Sequence, residues 1–408
     1  HPFAAAPGTP DGPGGLPDEL VARLHFGRSG TGWLHSLIDG HPESSTLPGI
    51  YLRGYFNQGV WDYISADGWK GLPDRFIETF EVLFDAETTK PIPSRLGEEA
   101  FSIGKSEGMT TVGENRDEVL TVDRDAFRAE ALRLMESLNT IDPISFLIIV
   151  HAAFEKAIGT ATEKHTIFYH IHNPNDYAKS NFLRHASNAR LLMMVREPIQ
   201  SCESWIRVLF RDNKYDKTVS QLLTMLFDID QIAFRRHDAV GIRMEDLKAR
   251  PEATLQALCT WMGVEDSPCL YEMTAQGKKW WGDPSSLDYD DKKAMSPFDK
   301  AATKRPVGSI FSDQDQFVLG TLYYPFSVRF GYREPDPAQF KKDLEAIRPL
   351  IGGMLDFEKA MAEKSNADMV QFKQNGAFQL FRSGLLERWK VLDELGDYPH
   401  MLKPLAIE

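Results

Sequence analysis

The chain has 408 residues, a formal net charge of −13 and 42% hydrophobic residues, which is typical of a folded globular protein with one large or two modest domains. Its 59 acidic and 46 basic residues argue against a general nucleic-acid-binding protein, so we expect no nucleic-acid partner. Three cysteines are too few for a disulfide framework or a zinc site, and no apolar run reaches the roughly 20 residues of a membrane span. We therefore expect a cytoplasmic protein without a metal.

The first predicted elements are a strand, a glycine-rich turn and a helix. Residues 1–17 are rich in proline, glycine and alanine, and we expect them to form a flexible lead. Residues 20–26 form a short apolar run, interrupted by Arg23 and His25, which predicts a buried strand. The glycine-rich turn is then predicted at residues 27–32, and the helix at residues 33–39.

The turn at residues 27–32 has the features of an anion site. A strand–turn–helix order directs backbone N–H groups and a helix N-terminus at a negatively charged group. Glycine allows close approach of the backbone, and Arg28 adds a positively charged fork. We therefore expect a phosphate-type ligand here, and the alternative is a purely structural turn. The Gly-Lys-Ser/Thr ending of a Walker A motif is missing, which argues against an ordinary ATPase or GTPase.

The rest of the chain alternates strand-like and helix-like segments. We predict strands within residues 44–52 and at 167–171, 189–195 and 239–244, and helices at 125–139, 142–158, 177–185, 198–207, 217–236, 251–262 and 337–364. This alternation predicts an α/β fold, a central parallel sheet flanked by helices. Residues 51–165 are expected to be a largely helical insertion within a domain of residues 18–335, and residues 336–408 a helical extension. The aromatic residues of 51–101 either pack this insertion onto the core or line an acceptor pocket.

A second anion-binding candidate follows the predicted strand at residues 189–195. Arg196 lies at the carboxyl end of this strand, where open α/β sheets bind ligands. Ser204 is eight residues further along, in the next helix, close enough to share one phosphate with Arg196. Taken alone, an arginine and a serine at this spacing indicate only a surface pair.

Three segments in this order resemble the sulfotransferases that use 3′-phosphoadenosine-5′-phosphosulfate: GRSGTGW, MMVREPIQSCESW and RMEDLKARPEATLQALCTWMGV. The resemblance covers residues 18 to about 332 and implies a P-loop-like sulfotransferase architecture. It implies that the 5′-phosphosulfate is held by Arg28, Ser29, Gly30, Thr31, Gly32 and Trp33, with Trp33 able to stack on the adenine. It also implies that Arg196 and Ser204 bind the 3′-phosphate, and that Arg305 corresponds to an arginine of the family's late phosphate-binding loop.

The family's acceptor-activating histidine is matched by the segment HIHNP. By this match His172 is the catalytic base and His170 a helper, and Arg28 stabilises charge on the leaving phosphate. The alternative is that both histidines are structural core residues. Two positions depart from the family pattern: Gly32 replaces a threonine, and Met244 stands where many members have a tyrosine near the adenine.

The resemblance predicts in-line transfer of a sulfuryl group to a hydroxyl of a small-molecule, glycan or biosynthetic-intermediate acceptor, without a metal. A P-loop small-molecule kinase and a non-catalytic nucleotide-binding module are the alternatives. Within the family, a domain that sulfates a β-hydroxyl group to prepare an elimination is a further variant. The sequence leaves the acceptor open, and both a monomer and a homodimer are compatible with it.

Overall fold

The computed structural model describes residues 16–49, 52, 54–91, 103–160, 164–171, 176–284, 286, 289–299 and 307–408. The strands in this part of the chain are β1 (Glu19–His25), β2 (Ser44–Ser45), β3 (Thr166–His170), β4 (Arg190–Val195), β5 (Ala239–Arg243), β6 (Thr274–Ala275), β7 (Lys278–Lys279) and β8 (Lys403–Pro404). Strands β6 and β7 form a small antiparallel pair of their own. The predicted flexible lead lies almost entirely outside the described residues.

Helices make up most of the described chain. Those before β3 are α1 (Thr31–Ile38), α2 (Gln58–Ile64), α3 (Leu72–Thr79), α4 (Ile103–Ser106), α5 (Arg124–Met135) and α6 (Pro143–Ala157). Those between β3 and β6 are α7 (Asp176–His185), α8 (Pro198–Arg211), α9 (Tyr215–Asp228), α10 (Ala233–Arg236), α11 (Met244–Ala249) and α12 (Pro251–Met262). Those after β7 are α13 (Asp313–Leu322), α14 (Tyr324–Arg329), α15 (Pro337–Ile351), α16 (Asp356–Lys364), α17 (Met369–Gln374) and α18 (Gly376–Leu395).

The chain divides into two compact units. The first comprises His1–Leu24, Gly32–Arg190 and Leu255–Asp299, and the second comprises His25–Thr31, Leu191–Thr254 and Lys300–Glu408. The six-stranded sheet is divided between them, with the order β2-β3-β1 in the first unit and β4-β5-β8 in the second. The pairings within each unit are parallel. The predicted α/β class, the central parallel sheet and the helical extension are therefore confirmed.

Strand β1 of the first unit is buried from Leu20 to His25, as its apolar sequence predicts. Its register with β3 places Arg23 opposite His170, so that both charged or polar side chains lie on the same face of the sheet. Arg23 is completely buried, and its guanidinium carbon lies 5.8 Å from the centroid of the Phe168 ring.

Aromatic residues between positions 55 and 127 pack against one another in the first unit. Tyr55, Phe76, Phe80 and Phe127 are fully buried and contact each other through their rings. The Tyr55 hydroxyl donates to the Pro143 carbonyl oxygen at 2.8 Å, which joins this cluster to the start of α6. Of the two sequence-based interpretations of these aromatics, the structure supports packing for the members of this cluster.

The single helix predicted at residues 217–236 is wrong, because α9 ends at Asp228 and α10 begins at Ala233. The backbone in between bonds to the tail of the chain, where Leu402 N–H donates to the Ile229 carbonyl oxygen at 3.2 Å. The Asp230 carboxylate accepts from His400 N–H at 2.7 Å and from Arg388 at 2.6 Å. These tertiary bonds replace the helical ones. The same tail forms β8, which the sequence did not predict.

The helix predicted at residues 337–364 is also divided, into α15 and α16. The break falls at Gly352 and Gly353. Glycine has the lowest helix propensity of any residue except proline, so two in succession favour the end of a helix. Leu355 N–H then donates to the Glu358 carboxylate at 2.8 Å, which fixes the start of α16. In the described part of the chain, no helix is both long enough and apolar enough to cross a membrane.

Candidate functional site

The glycine-rich turn of the second unit has a backbone that glycine favours. Gly27 has a φ of +52° and Gly30 a φ of +81°, both in the left-handed region. A Cβ atom at Gly27 would lie 2.5 Å from the Ser201 Oγ, on the first turns of α8. Glycine at position 27 is therefore needed for both the backbone conformation and the close approach of α8.

Ser29 holds the turn beside the carboxyl end of β4. Its hydroxyl is buried and donates to the Met194 carbonyl oxygen at 2.7 Å. The Ser201 hydroxyl donates to the Phe26 carbonyl oxygen at 3.3 Å, which holds the entry to the turn against α8. The turn is thus fixed to the strand end that immediately precedes Arg196, so two of the three sequence motifs are neighbours in the fold.

The residues at the tip of the turn are accessible. Arg28 and Gly32 are exposed, and Thr31 is half-buried and begins α1. An ideal Cβ atom built at Gly32 meets no atom within 4 Å. The start of α1 is therefore accessible to an anion, which a helix N-terminus favours.

Arg196 and Ser204 belong to the same buried strand–helix junction. Arg196 follows β4 directly and is 2% exposed, and Ser204 lies in the second turn of α8 and is 7% exposed. Between them, the Glu197 carboxylate caps α8 by accepting from Gln200 N–H at 2.7 Å and Ile199 N–H at 3.3 Å. Burial, and to a lesser degree Glu245, raise the pKa of Glu197.

The third motif joins the same region through Glu245. Its carboxylate accepts from Glu197 N–H at 3.2 Å and from the Tyr332 hydroxyl at 3.0 Å. Burial and the neighbouring Glu245 raise the pKa of Tyr332, so this phenol remains a donor at neutral pH. Met244, the residue that departs from the family pattern, is buried at the start of α11. Residues of all three motifs therefore lie at the carboxyl ends of β4 and β5.

Glu203, the residue before Ser204, was not singled out by the sequence analysis, but it anchors a loop that begins at Gly308. Its carboxylate accepts from the backbone N–H groups of Gly308, Ile310 and Phe311 at 3.0, 2.9 and 2.8 Å. The sequence indicated this contact only by placing a charged residue, Glu203, on the buried face of α8. Arg305, which precedes this loop, lies outside the described residues.

Trp33 and the histidines belong to the first unit. Trp33 is 8% exposed and packs edge-on against Phe298, with the ring centroids 6.2 Å apart. His170 ends β3 and is buried, with its ring 6.3 Å from that of His35. His172 lies outside the described residues, so its role as the base stays a prediction.

The sequence analysis gave no role to His35, His151 or Arg23, which the structure gathers around Phe168 and His170. His35 and His151 line one cleft with His170, and Arg23 lies over the Phe168 ring. The available signal was a polar residue within an apolar element: Arg23 in β1 and His151 in α6. Over the described ranges, no three His, Cys, Asp or Glu side chains are grouped so that they could hold a metal ion.

Comparisons with known proteins place these observations in context. No protein-family profile matches the chain. No curated protein matches it either. Among solved structures, a sulfotransferase domain from the olefin synthase of Synechococcus PCC 7002 is 17% identical with a TM-score of 0.37, over 79% of this chain and 98% of that one.

A sulfotransferase domain from the curacin biosynthetic pathway is 16% identical with a TM-score of 0.29, over 72% of this chain and 94% of that one. These values describe a distant likeness, which carries no argument about activity.

Proposed function

We propose that the chain is a sulfotransferase that moves a sulfuryl group from 3′-phosphoadenosine-5′-phosphosulfate to a hydroxyl group of an acceptor. The observation that supports this most is the bond from Ser29 to the Met194 carbonyl oxygen. It joins the glycine-rich turn to the strand end that carries Arg196. One unit would thereby supply both sets of anion-binding groups that a nucleotide with phosphates on the 3′ and 5′ positions of its ribose requires.

The donor nucleotide would supply the sulfuryl group and a phosphate as the leaving group. The residues of the turn suit an anion, because Arg28 is exposed and Thr31 is the first residue of a helix. Backbone N–H groups of the turn and Arg28 would stabilise negative charge as it grows on the departing phosphate. Arg196 and Ser204 would bind the 3′-phosphate and so fix the orientation of the nucleotide.

Binding of adenosine 3′,5′-bisphosphate, measured by isothermal titration calorimetry, tests the nucleotide site. Adenosine 5′-monophosphate is the matched ligand, since it lacks only the 3′-phosphate. Loss of a charge-assisted contact costs about 1.5–3 kcal/mol, so Arg196→Ala should weaken bisphosphate binding by about 10- to 100-fold. It should leave monophosphate binding nearly unchanged.

The exposed Arg236 is the matched control, and Arg236→Ala should leave both affinities unchanged. An unaltered bisphosphate affinity in Arg196→Ala would refute the assignment of the 3′-phosphate site. Transfer from the donor nucleotide to a panel of alcohols, phenols and sugars then tests the reaction itself. Bisphosphate binding without any transfer would leave a nucleotide-binding module, and magnesium-dependent turnover of ATP would indicate a kinase.

A further inference from the structure

The loop from Gly308 to Phe311 in the second unit, which we call the Glu203 loop, is bound by a single carboxylate. Glu203 is only 2% exposed. Its Oε1 accepts from the backbone N–H groups of Gly308, Ile310 and Phe311 at 3.0, 2.9 and 2.8 Å. The Ser309 hydroxyl donates to its Oε2 at 3.3 Å. Since the four donors come from consecutive residues, one side chain determines the path of the whole loop.

The charge of Glu203 matters for these bonds. A carboxylate that is removed from water needs hydrogen-bond donors to replace its hydration, and the loop supplies them from its backbone. Hydrogen bonds to an ionised acceptor are roughly twice as strong as those between neutral groups. Because three N–H groups converge on one oxygen atom, neutralising Glu203 weakens all three bonds together.

The backbone of the loop is suited to this arrangement. Gly308 has a φ of +111°, in the left-handed region that favours glycine. At the other end, the Gln316 side-chain amide donates to the Phe311 carbonyl oxygen at 3.0 Å. The N–H groups of the loop are therefore directed at α8 while its last carbonyl group is bound by α13.

The two ends of the loop are fixed to different parts of the second unit. Phe311 is completely buried, and its ring lies edge-on to that of Phe357 in α16, with the centroids 5.7 Å apart. The next residue, Ser312, caps α13, and its hydroxyl donates to the Asp356 carboxylate at 2.6 Å. The end of the loop is thus fixed to the helical extension, whereas its beginning is fixed to α8.

Glu203 directly precedes Ser204, one of the two residues that we assign to the 3′-phosphate. The Cα atoms of consecutive residues are only about 3.8 Å apart, so the loop is bound at the same turn of α8 that carries Ser204. By its charge alone, a glutamate at this position opposes the binding of an anion, since like charges repel. Any benefit of Glu203 to a phosphate must therefore come from the loop that it holds.

We propose that Glu203 is a positioning residue for the donor nucleotide, which raises the affinity for a 3′-phosphate by fixing the Glu203 loop beside Ser204. This role rests on the proposed function, which places the 3′-phosphate at Arg196 and Ser204. Glu203 does not contact the nucleotide and acts through the backbone of the loop. A loop fixed at this place excludes water from the phosphate contacts, which strengthens them.

Calorimetric titration of the Glu203→Gln variant separates positioning from charge. Glutamine keeps the length of the side chain and one acceptor oxygen but has no charge. The variant should bind adenosine 3′,5′-bisphosphate about 5- to 10-fold more weakly than the native chain, and adenosine 5′-monophosphate with nearly unchanged affinity. If Glu203 acted only through its charge, the same variant would bind the bisphosphate more tightly.

Two further variants complete the series. Glu203→Leu has no acceptor and should bind the bisphosphate more weakly than Glu203→Gln, so that affinity follows the strength of the bonds to the loop. The matched control is Glu387, an exposed glutamate on α18. Glu387→Gln should bind both nucleotides as the native chain does.

Backbone hydrogen exchange on the native full-length chain tests the same role without any substitution. Saturation with the bisphosphate should slow exchange several-fold in the peptide that contains residues 308–311. Equal saturation with the monophosphate should leave exchange there unchanged. This measurement decides the proposal even if a variant at position 203 fails to fold.

Two results would overturn the positioning role and leave the proposed function intact. One is tight bisphosphate binding without slower exchange in residues 308–311. The other is a Glu203→Gln variant that is less stable but binds the bisphosphate as tightly as the native chain, or more tightly. A native chain that does not bind the bisphosphate would overturn both proposals.

Discussion

Lowering the pH from 7 to 5 should reduce the free energy of unfolding through two buried imidazoles, those of His35 and His151. His35 and His151 titrate near 6.5 in the unfolded chain, but burial lowers the pKa of each to about 3 in the folded state. Within this window the unfolded chain therefore binds protons that the folded chain does not. Stability is retained above pH 6.5 and falls as the pH approaches 3.

The size of the effect follows from the difference in pKa. A histidine that stays neutral when folded loses roughly 2 kcal/mol of stability between pH 7 and pH 5, so the two together lose roughly 4 kcal/mol. Burial raises the pKa of Glu197 and Glu358, and these groups change stability in the opposite direction as the pH falls. The contribution of one histidine must therefore be read from a difference between variants.

Urea unfolding at pH 7 and pH 5 measures this difference. His151→Asn keeps a donor for Ser45 and removes the titrating ring, so its loss of stability on acidification should be smaller than that of the native chain by roughly 2 kcal/mol. His185→Asn, at an exposed position, should lose as much stability as the native chain. An equal loss in His151→Asn and the native chain would show that the folded ring titrates normally and that burial does not lower its pKa.

Three further variants test the glycine-rich turn and the loop that Glu203 holds. Gly27→Ala should cost about 2–4 kcal/mol in urea unfolding, because its Cβ meets Ser201 Oγ and its φ is positive; a cost below 1 kcal/mol would contradict this. Gly32→Thr should change stability by less than about 0.5 kcal/mol and bind adenosine 3′,5′-bisphosphate at least as tightly, whereas weaker binding would place the anion elsewhere. Glu203→Ala should cost about 3 kcal/mol and speed proteolysis near Gly308, and unchanged proteolysis would mean that other contacts hold this loop.

The order of the strands and helices could be predicted from the sequence because hydrophobic periodicity is a local property. The apolar run of β4 and the capped start of α8 can each be recognised from a few neighbouring residues. Strand β8 could not be found in this way. It has only two residues, and its pairing with β5 depends on a segment far away in the sequence.

The candidate nucleotide site was predictable as motifs but not as contacts. The sequence brought out Ser29 and Arg196, but nothing in it indicated that the Ser29 hydroxyl would bond to the Met194 carbonyl oxygen. The contacts of the buried histidines were harder still to predict. His151 and Ser45 are 106 positions apart and meet only because α6 packs against β2, so no spacing rule links them.

The edge of the sheet in the second unit has a consequence for association between molecules. Its outer strand, β8, consists only of Lys403 and Pro404, and both residues are exposed. Proline offers no N–H group to a further strand, and a lysine would have to lose its hydration to allow one to approach. These two residues therefore cover the edge of β5 but offer a strand from another molecule almost no backbone groups for pairing. This disfavours aggregation through strand pairing at that edge.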